Sequence, residues 1–383
     1  MTLRMVYAIM FGSSMAINMT RAILSLFASE LGADAFQIGT LTAAYAFFPF
    51  AIALYAGKAV DRLGNRFPVL AGMIGMSLSV IVPGLFPSLW ALYLSQPLIG
   101  TSHVFVVIAL QNVIGQSVPP EKRDQAFGGF STTVSVANFT GPIVGGYLAE
   151  HLSFALVYLA SSVFCVMSVL VSFVLPVGRV SRTRQLFNLL SSAKLLKMKT
   201  LRSAMISSAL VLYSRDIYVM YFPLYADKLG ISVSAIGWII SIQGLAMIVV
   251  RLFLGRLIDF VGRDRLLISS VILAGVSFLL VPVTQSALLL GIWSATMGMG
   301  LGCGQPLSMA TSYNVSPKNR TGEVLGLRLT INRLSQFVAP LFFGLLGSWI
   351  GIASVFVVSG SFLLGGSWLI RPGSVRTEPA EES

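Results

Sequence analysis

Charge is what this chain most lacks. Only 10% of its 383 residues are Asp, Glu, Lys or Arg, where a soluble domain carries about 25%. With 55% hydrophobic residues and a mean hydropathy of +0.83, it has too little polar surface to clothe a water-facing globule. A soluble domain is excluded, and lipid is the expected solvent. Cysteine is nearly absent too. Cys165 and Cys303 fall in separate apolar runs, which argues against a disulfide framework or a thiolate metal site. The two histidines form no cluster with them. Neither a phosphate-cradling loop nor a serine triad is found, so an ATP-driven pump and a membrane hydrolase lack support. GMGLGCG at 298–304 follows no strand and lies inside an apolar run, where its glycines serve close packing. No metal, cofactor or enzymatic reaction is expected.

What the chain does have is long apolar runs. A membrane helix needs about 20 residues, with its backbone polar groups satisfied internally. Twelve runs qualify: 5–28, 36–56, 68–86, 88–115, 125–148 and 152–176, then 203–226, 233–254, 264–283, 286–313, 322–346 and 350–370. They divide the chain into a first six-helix bundle (1–177), a basic linker (178–202), a second bundle (203–371) and a tail (372–383). Within the linker, LFNLLSSAKLLKMK reads as an amphipathic helix lying on the membrane surface. No cleavage site of small residues follows the first run, so that run is expected to be retained. Twenty of the 26 basic residues fall on one side of this topology, while the opposite loops keep only Lys228. That excess places both termini in the cytoplasm. It also accounts for the net charge of +12 without any nucleic-acid partner.

The two halves are built alike. GKAVDRLGNR at 57–66 returns as GRLIDFVGRDR from Gly255, an offset of 198 residues. Asp61 and Asp259, Gly64 and Gly262, Gly32 and Gly230, and Gly39 and Gly237 share that offset. A period of this length marks an internal duplication.

These residues resemble the major facilitator superfamily over nearly the whole chain. Gly57, Asp61, Arg62, Gly64 and Arg66 match that family's signature between helices 2 and 3, with Asn65 where a basic residue is usual. The second copy keeps Gly255, Asp259, Gly262, Arg263 and Arg265. The resemblance implies an all-α membrane fold of twelve helices in two pseudo-symmetric bundles. It also implies that the signature latches the halves in one state, with Asp61 near Gly322 and Glu323. A second stretch, ANFTGPIVGG, carries Gly141, Pro142, Gly145 and Gly146, which resemble the GPxxGG pattern of antiporters, mostly exporters. Pro142 removes a helical hydrogen bond and kinks its helix, and the small residues permit close packing against the other half. The arginine that such exporters often carry in helix 4 is replaced here by Gln96, and His103 follows two turns later.

Ionisable residues inside lipid are costly, so each one marks a candidate site. Arg251 and Arg328 fall near cytoplasmic ends, where they can snorkel. Arg21, Arg215, Asp216 and Arg333 fall too deep for that. Asp216 is the only acid well inside a span, and it reads as the proton-binding carboxylate or as a fixed partner of Arg21 or Arg333. His103 is the second proton candidate. Three deep arginines against one acid favour an anionic or amphiphilic organic substrate. The expected substrate residues are Asn18, Arg21, His103, Tyr213, Arg215, Gln305, Asn332 and Arg333. The signature glycines with Asp61, Arg62, Arg66 and Asp259, together with the helix 5 glycines and Pro142, are expected to gate.

Taken together, the sequence reads as a proton-coupled antiporter exporting a small organic compound by alternating access. Its expected partners are substrate, protons and lipid, and a monomer in a bacterial inner membrane suffices. The competing readings are an uptake symporter or uniporter for an organic anion or sugar, a lipid flippase, and a non-transporting sensor. Lipid traffic predicts lateral openings between helices 5 and 8, or 2 and 11.

Overall fold

The computed structural model describes residues 2–119, 122–175, 198–314 and 321–369. Among them are thirteen helices and no strand. The first half holds α1 (Thr2–Glu30), α2 (Ala35–Leu63), α3 (Arg66–Leu85), α4 (Leu89–Ser117), α5 (Arg123–His151) and α6 (Phe154–Ser172). The second holds α7 (Lys199–Lys228), α8 (Val233–Leu252), the short α9 (Leu254–Val261), α10 (Arg263–Leu280), α11 (Ala287–Asn314), α12 (Thr321–Ile350) and α13 (Ile352–Leu369). The linker's surface helix lies outside the described residues.

Nine of the described helices are long and apolar enough to cross a membrane. The other three long ones, α5, α7 and α10, are more polar for identifiable reasons. α7 carries Arg215 and Asp216, and α10 opens on Arg263, Asp264 and Arg265. α5 leaves Gln125, Gly128, Ser131 and Thr132 exposed along one face. A polar face at membrane depth belongs against water or protein, not against lipid.

The two signature copies are mostly helix, not loop. GKAVDRL forms the last turns of α2, and GRLIDFV lies within α9. Gly64 (φ 74°) and Gly262 (φ 85°) make the reversal, in backbone conformations that a side chain disfavours. This corrects the expectation that the whole signature lies between the helices. The side chains of Asp61, Gly322 and Glu323 lie outside the described residues, as does the latch expected between them. Among its neighbours, Asn65 accepts from Asn112 Nδ2 (2.9 Å) and donates to Gln116 Oε1 (3.2 Å), tying the turn to α4.

The close contacts between halves run from mid-membrane to the side opposite the termini, and they come in symmetric pairs. A Cβ on Gly39 of α2 would collide with the Pro340 carbonyl of α12, and one on Gly237 of α8 with the Pro142 carbonyl of α5. Gly344 faces Ala35 O, and Gly146 faces Val233 O. Every residue in one set is matched by its counterpart 198 positions away. Helix 5 therefore splits its small residues between two tasks. Pro142 and Gly146 meet the other half, whereas Gly141 and Gly145 pack on Asn18 and Met19 of α1, within their own half. Each crossing has a different fastener. Tyr221 Oη lies 3.3 Å from Pro340 O and 3.4 Å from Ala35 O. Glu150 accepts the Ser234 N–H at 2.6 Å, capping α8 across the interface. On this side the α5–α8 and α2–α12 seams are closed, which leaves no lateral opening there for lipid.

Gly237→Val forces a side chain into backbone. Overpacking of this kind costs about 1–3 kcal/mol, enough to shift the open population about tenfold. A membrane-impermeant maleimide added from the side opposite the termini should then label Asn138→Cys about tenfold faster.

Candidate functional site

At mid-membrane the halves are joined by a charge pair. Arg21 on α1 donates from Nη2 to Asp216 Oδ1 on α7 at 2.6 Å. The second carboxylate oxygen accepts from Gln336 Nε2 on α12 at 2.7 Å. Gln336 Oε1 in turn accepts from Arg333 Nη1 at 3.0 Å. Both oxygens of Asp216 are satisfied, as a carboxylate at this depth requires. Of the two partners expected for Asp216, Arg21 makes the contact, and Arg333 reaches it only through Gln336. Tyr45 lies beneath the Arg21 guanidinium, 5.6 Å from ring centroid to Cζ, and adds a cation–π contact.

Two small cavities flank the pair. One is lined by Arg21, Thr20, Thr42, Tyr45 and Gln96 among apolar residues. The other lies between the halves and is lined by Asn18, Arg21, Asn138, Arg215 and Gln243 with Pro142, Val219 and Ile240. In this closed arrangement each has room for about one water. Arg21 borders both. The structure thus gathers Asn18, Arg21, Arg215 and Asp216, with Arg333 one hydrogen bond further out. His103 is within electrostatic reach of Arg333 and Arg21, and its buried Nε2 has no partner among the described residues.

The remaining expected substrate residues have other surroundings. Gln305 donates to Ser208 O (2.8 Å) and accepts from Arg328 Nη2 (2.6 Å), tying α11 to α7 and α12. Arg328 is only 6% exposed, so it does not snorkel. Its guanidinium is satisfied by Gln305 and Ser308 instead. Tyr213 stacks on Phe343 at 5.9 Å. Asn332 is buried, and its Oδ1 has no partner among the described residues. The glycines of 298–304 pack against neighbouring helices: Gly298 and Gly302 on α8, Gly300 on α10 and Gly304 on α7.

Tyr45 and Asn138 are site residues outside the expected set, whereas Gln243 and Gln336 stand among the polar residues that the sequence places around the deep arginines. The duplication points to them. Asn18 and Asp216, Tyr45 and Gln243, and Asn138 and Gln336 are pairs at the offset of 198. Equivalent positions of two like halves converge on the axis between them.

The family model described as Major Facilitator Superfamily matches residues 6–204 and again 204–383. Multidrug resistance protein MdtG of Klebsiella pneumoniae is 23% identical over 396 residues, covering 97% of this chain and 94% of that protein. Multidrug resistance protein 2 of Bacillus subtilis is 24% identical over 349 residues, covering 88% and 86%. Among solved structures, the nucleoside transporter NupG superposes with a TM-score of 0.81 at 12% identity, covering 97% of this chain and 98% of that one. A peptide transporter POT in complex with sulfate gives 0.81 at 16% identity, covering 96% and 93%.

Breaking a buried pair by removing one partner costs about 3–5 kcal/mol. Arg21 is 27% exposed, so Asp216→Asn should cost less, about 2 kcal/mol after solvent screening. Adding Arg21→Gln to it should restore part of the loss, because the unpaired charge is gone. A double-mutant cycle of thermal unfolding checks this, and additive losses would show that the two groups are uncoupled.

Proposed function

The chain belongs to the Major Facilitator Superfamily and is an integral membrane transporter, and we propose that it is a proton-coupled antiporter exporting a small amphiphilic or anionic organic compound. The observation that carries this reading is the Arg21–Asp216 pair, a titratable contact joining the two halves at mid-membrane. In alternating access the empty carrier must not cycle, while each ligand must allow it. The pair meets both requirements. Intact, it holds the halves together. A proton on Asp216 removes the negative partner, and an anionic substrate drawn to Arg21 competes for the positive one. Either ligand alone releases the contact, so each crosses in its own half-cycle, which is exchange. Each must bind the two facings with different affinity, since equal affinity shifts nothing.

Export is supported by the GPIVGG run, whose Pro142 and Gly146 form the α5–α8 crossing, and by the multidrug resistance proteins among its relatives. The basic-residue asymmetry puts the exposed polar face of α5 on the cytoplasmic side, where an exporter collects its load. One observation favours a second reading, symport of an organic anion. Arg215 lies beside the pair yet outside it, so an anion held by Arg215 alone, without drawing Arg21, would not compete with a proton on Asp216.

Proteoliposomes holding an internal pH dye and a set proton gradient test the proposal. Anionic, neutral and cationic amphiphiles are added in turn. We expect one class to drive protein-dependent proton movement opposite to its own, abolished by Asp216→Asn. Protons moving with the compound would establish symport. Compound flux without proton movement would overturn proton coupling.

A further inference from the structure

Arg215 is the charge that the folded protein leaves unanswered. Among the described residues its guanidinium makes no hydrogen bond or ion pair, although Asp216 is its neighbour in sequence. Asp216 spends one oxygen on Arg21 and the other on Gln336, and adjacent helical residues point about 100° apart. A guanidinium at this depth without a counter-ion is costly. Yet Arg215 faces a cavity rather than packed side chains, and the groups beside it share its lack of strong partners. Among the described residues Asn138 makes no side-chain hydrogen bond, and Gln243 donates only to the Met297 thioether, a weak acceptor, at 3.2 Å. The same cavity offers Pro142, Val219 and Ile240 as an apolar wall.

Resting on the transporter reading above, we propose that Arg215 is the specificity-determining contact of the transported substrate. That substrate is a small organic anion carrying a carboxylate or phosphonate head on an apolar body. The head accepts from the Arg215 fork and from the amide N–H groups of Asn138 and Gln243, while the body lies against Pro142, Val219 and Ile240. The head neutralises the charge left at Arg215, and because Arg21 borders the same cavity the head also competes with Asp216 for that guanidinium, as exchange requires. A cation would add to that charge, and a neutral compound would leave it bare. Arginine suits the role because its planar fork matches two oxygens at once.

Binding to the purified full-length protein, with no gradient, separates this proposal from proton coupling. Thermal unfolding is followed against benzoate, phenylphosphonate, benzamide, benzylamine and inorganic phosphate. Ligands that bind the folded state raise the midpoint with concentration. We expect benzoate or phenylphosphonate to do so and benzamide and benzylamine not to. The two anionic arms distinguish a carboxylate from a phosphonate head. Arg215→Gln should weaken that binding by about 10- to 100-fold, as loss of a charged hydrogen bond implies. Arg215→Lys should keep the anion preference at lower affinity, and Arg251→Gln should leave it unchanged. Should Arg215→Gln fail to fold, the charge ranking and Arg215→Lys carry the test. Equal binding of benzylamine or benzamide, or an anion affinity indifferent to Arg215, would overturn the proposal. Inorganic phosphate binding as well as phenylphosphonate would overturn its organic part. Anions that bind yet move no protons sink the coupling and spare the site. Proton exchange driven only by cations does the reverse.

Discussion

A carboxylate in the middle of a bilayer has to be paired, and this protein pairs its one such group across the seam between its halves. Asp216 belongs to the second half and Arg21 to the first. Had the partner been Arg333, the pair would sit inside one bundle and say nothing about how the bundles move. Because it crosses the seam, the cost of an unpaired charge becomes a force between two bodies. On the proposed reading a proton on Asp216 removes that force, and the two states needed for transport are set by desolvation and one protonatable group.

Around this contact the protein is symmetric where it packs and asymmetric where it carries charge. Gly39 and Gly237, Pro142 and Pro340, and Gly146 and Gly344 are paired by the duplication, as are their backbone contacts. Gly100 on Tyr45 O and Gly298 on Gln243 O repeat the same device within each half. These positions let helices approach to backbone distance, a demand that both halves share. The positions 198 residues from Arg21, His103, Arg215 and Arg333 are Val219, Leu301, Ile17 and Ser135. A duplicated scaffold fixes where the helices cross, and the departures from duplication fix what binds at the axis. The gate fasteners follow the same division, Tyr221 at one crossing and Glu150 at the other.

The fold was legible because lipid removes most alternatives. Long apolar runs, basic loops and a 198-residue repeat leave little besides two helical bundles, and Gly32 with Gly230 and Gly64 with Gly262, all at positive φ, fall where the repeat places them. Helix ends were less legible. GKAVDRL and GRLIDFV carry charge, so they read as loop, yet they continue the helices because a helix outside the hydrocarbon core loses nothing by being polar. The site was half legible. A deep charge announces itself by its cost, so Arg21, Arg215 and Asp216 stand out. Tyr45 and Asn138 do not, since amides and tyrosines are tolerated in helices for many reasons and only their paired offsets single them out. Arg328 misled by its nearness to a helix end, because hydrogen bonds to Gln305 and Ser308 hold it inside instead.

The most direct test of the account is the distance between the halves across the terminal side, read by electron spin labels as pH falls. The account holds that the distribution shifts in a single protonation step as Asp216 takes its proton and releases Arg21. It also holds that Asp216→Asn sits in the released distribution at every pH. If the same pH-driven shift persisted in Asp216→Asn, another group would be the switch, and the Arg21–Asp216 pair would be mere structure.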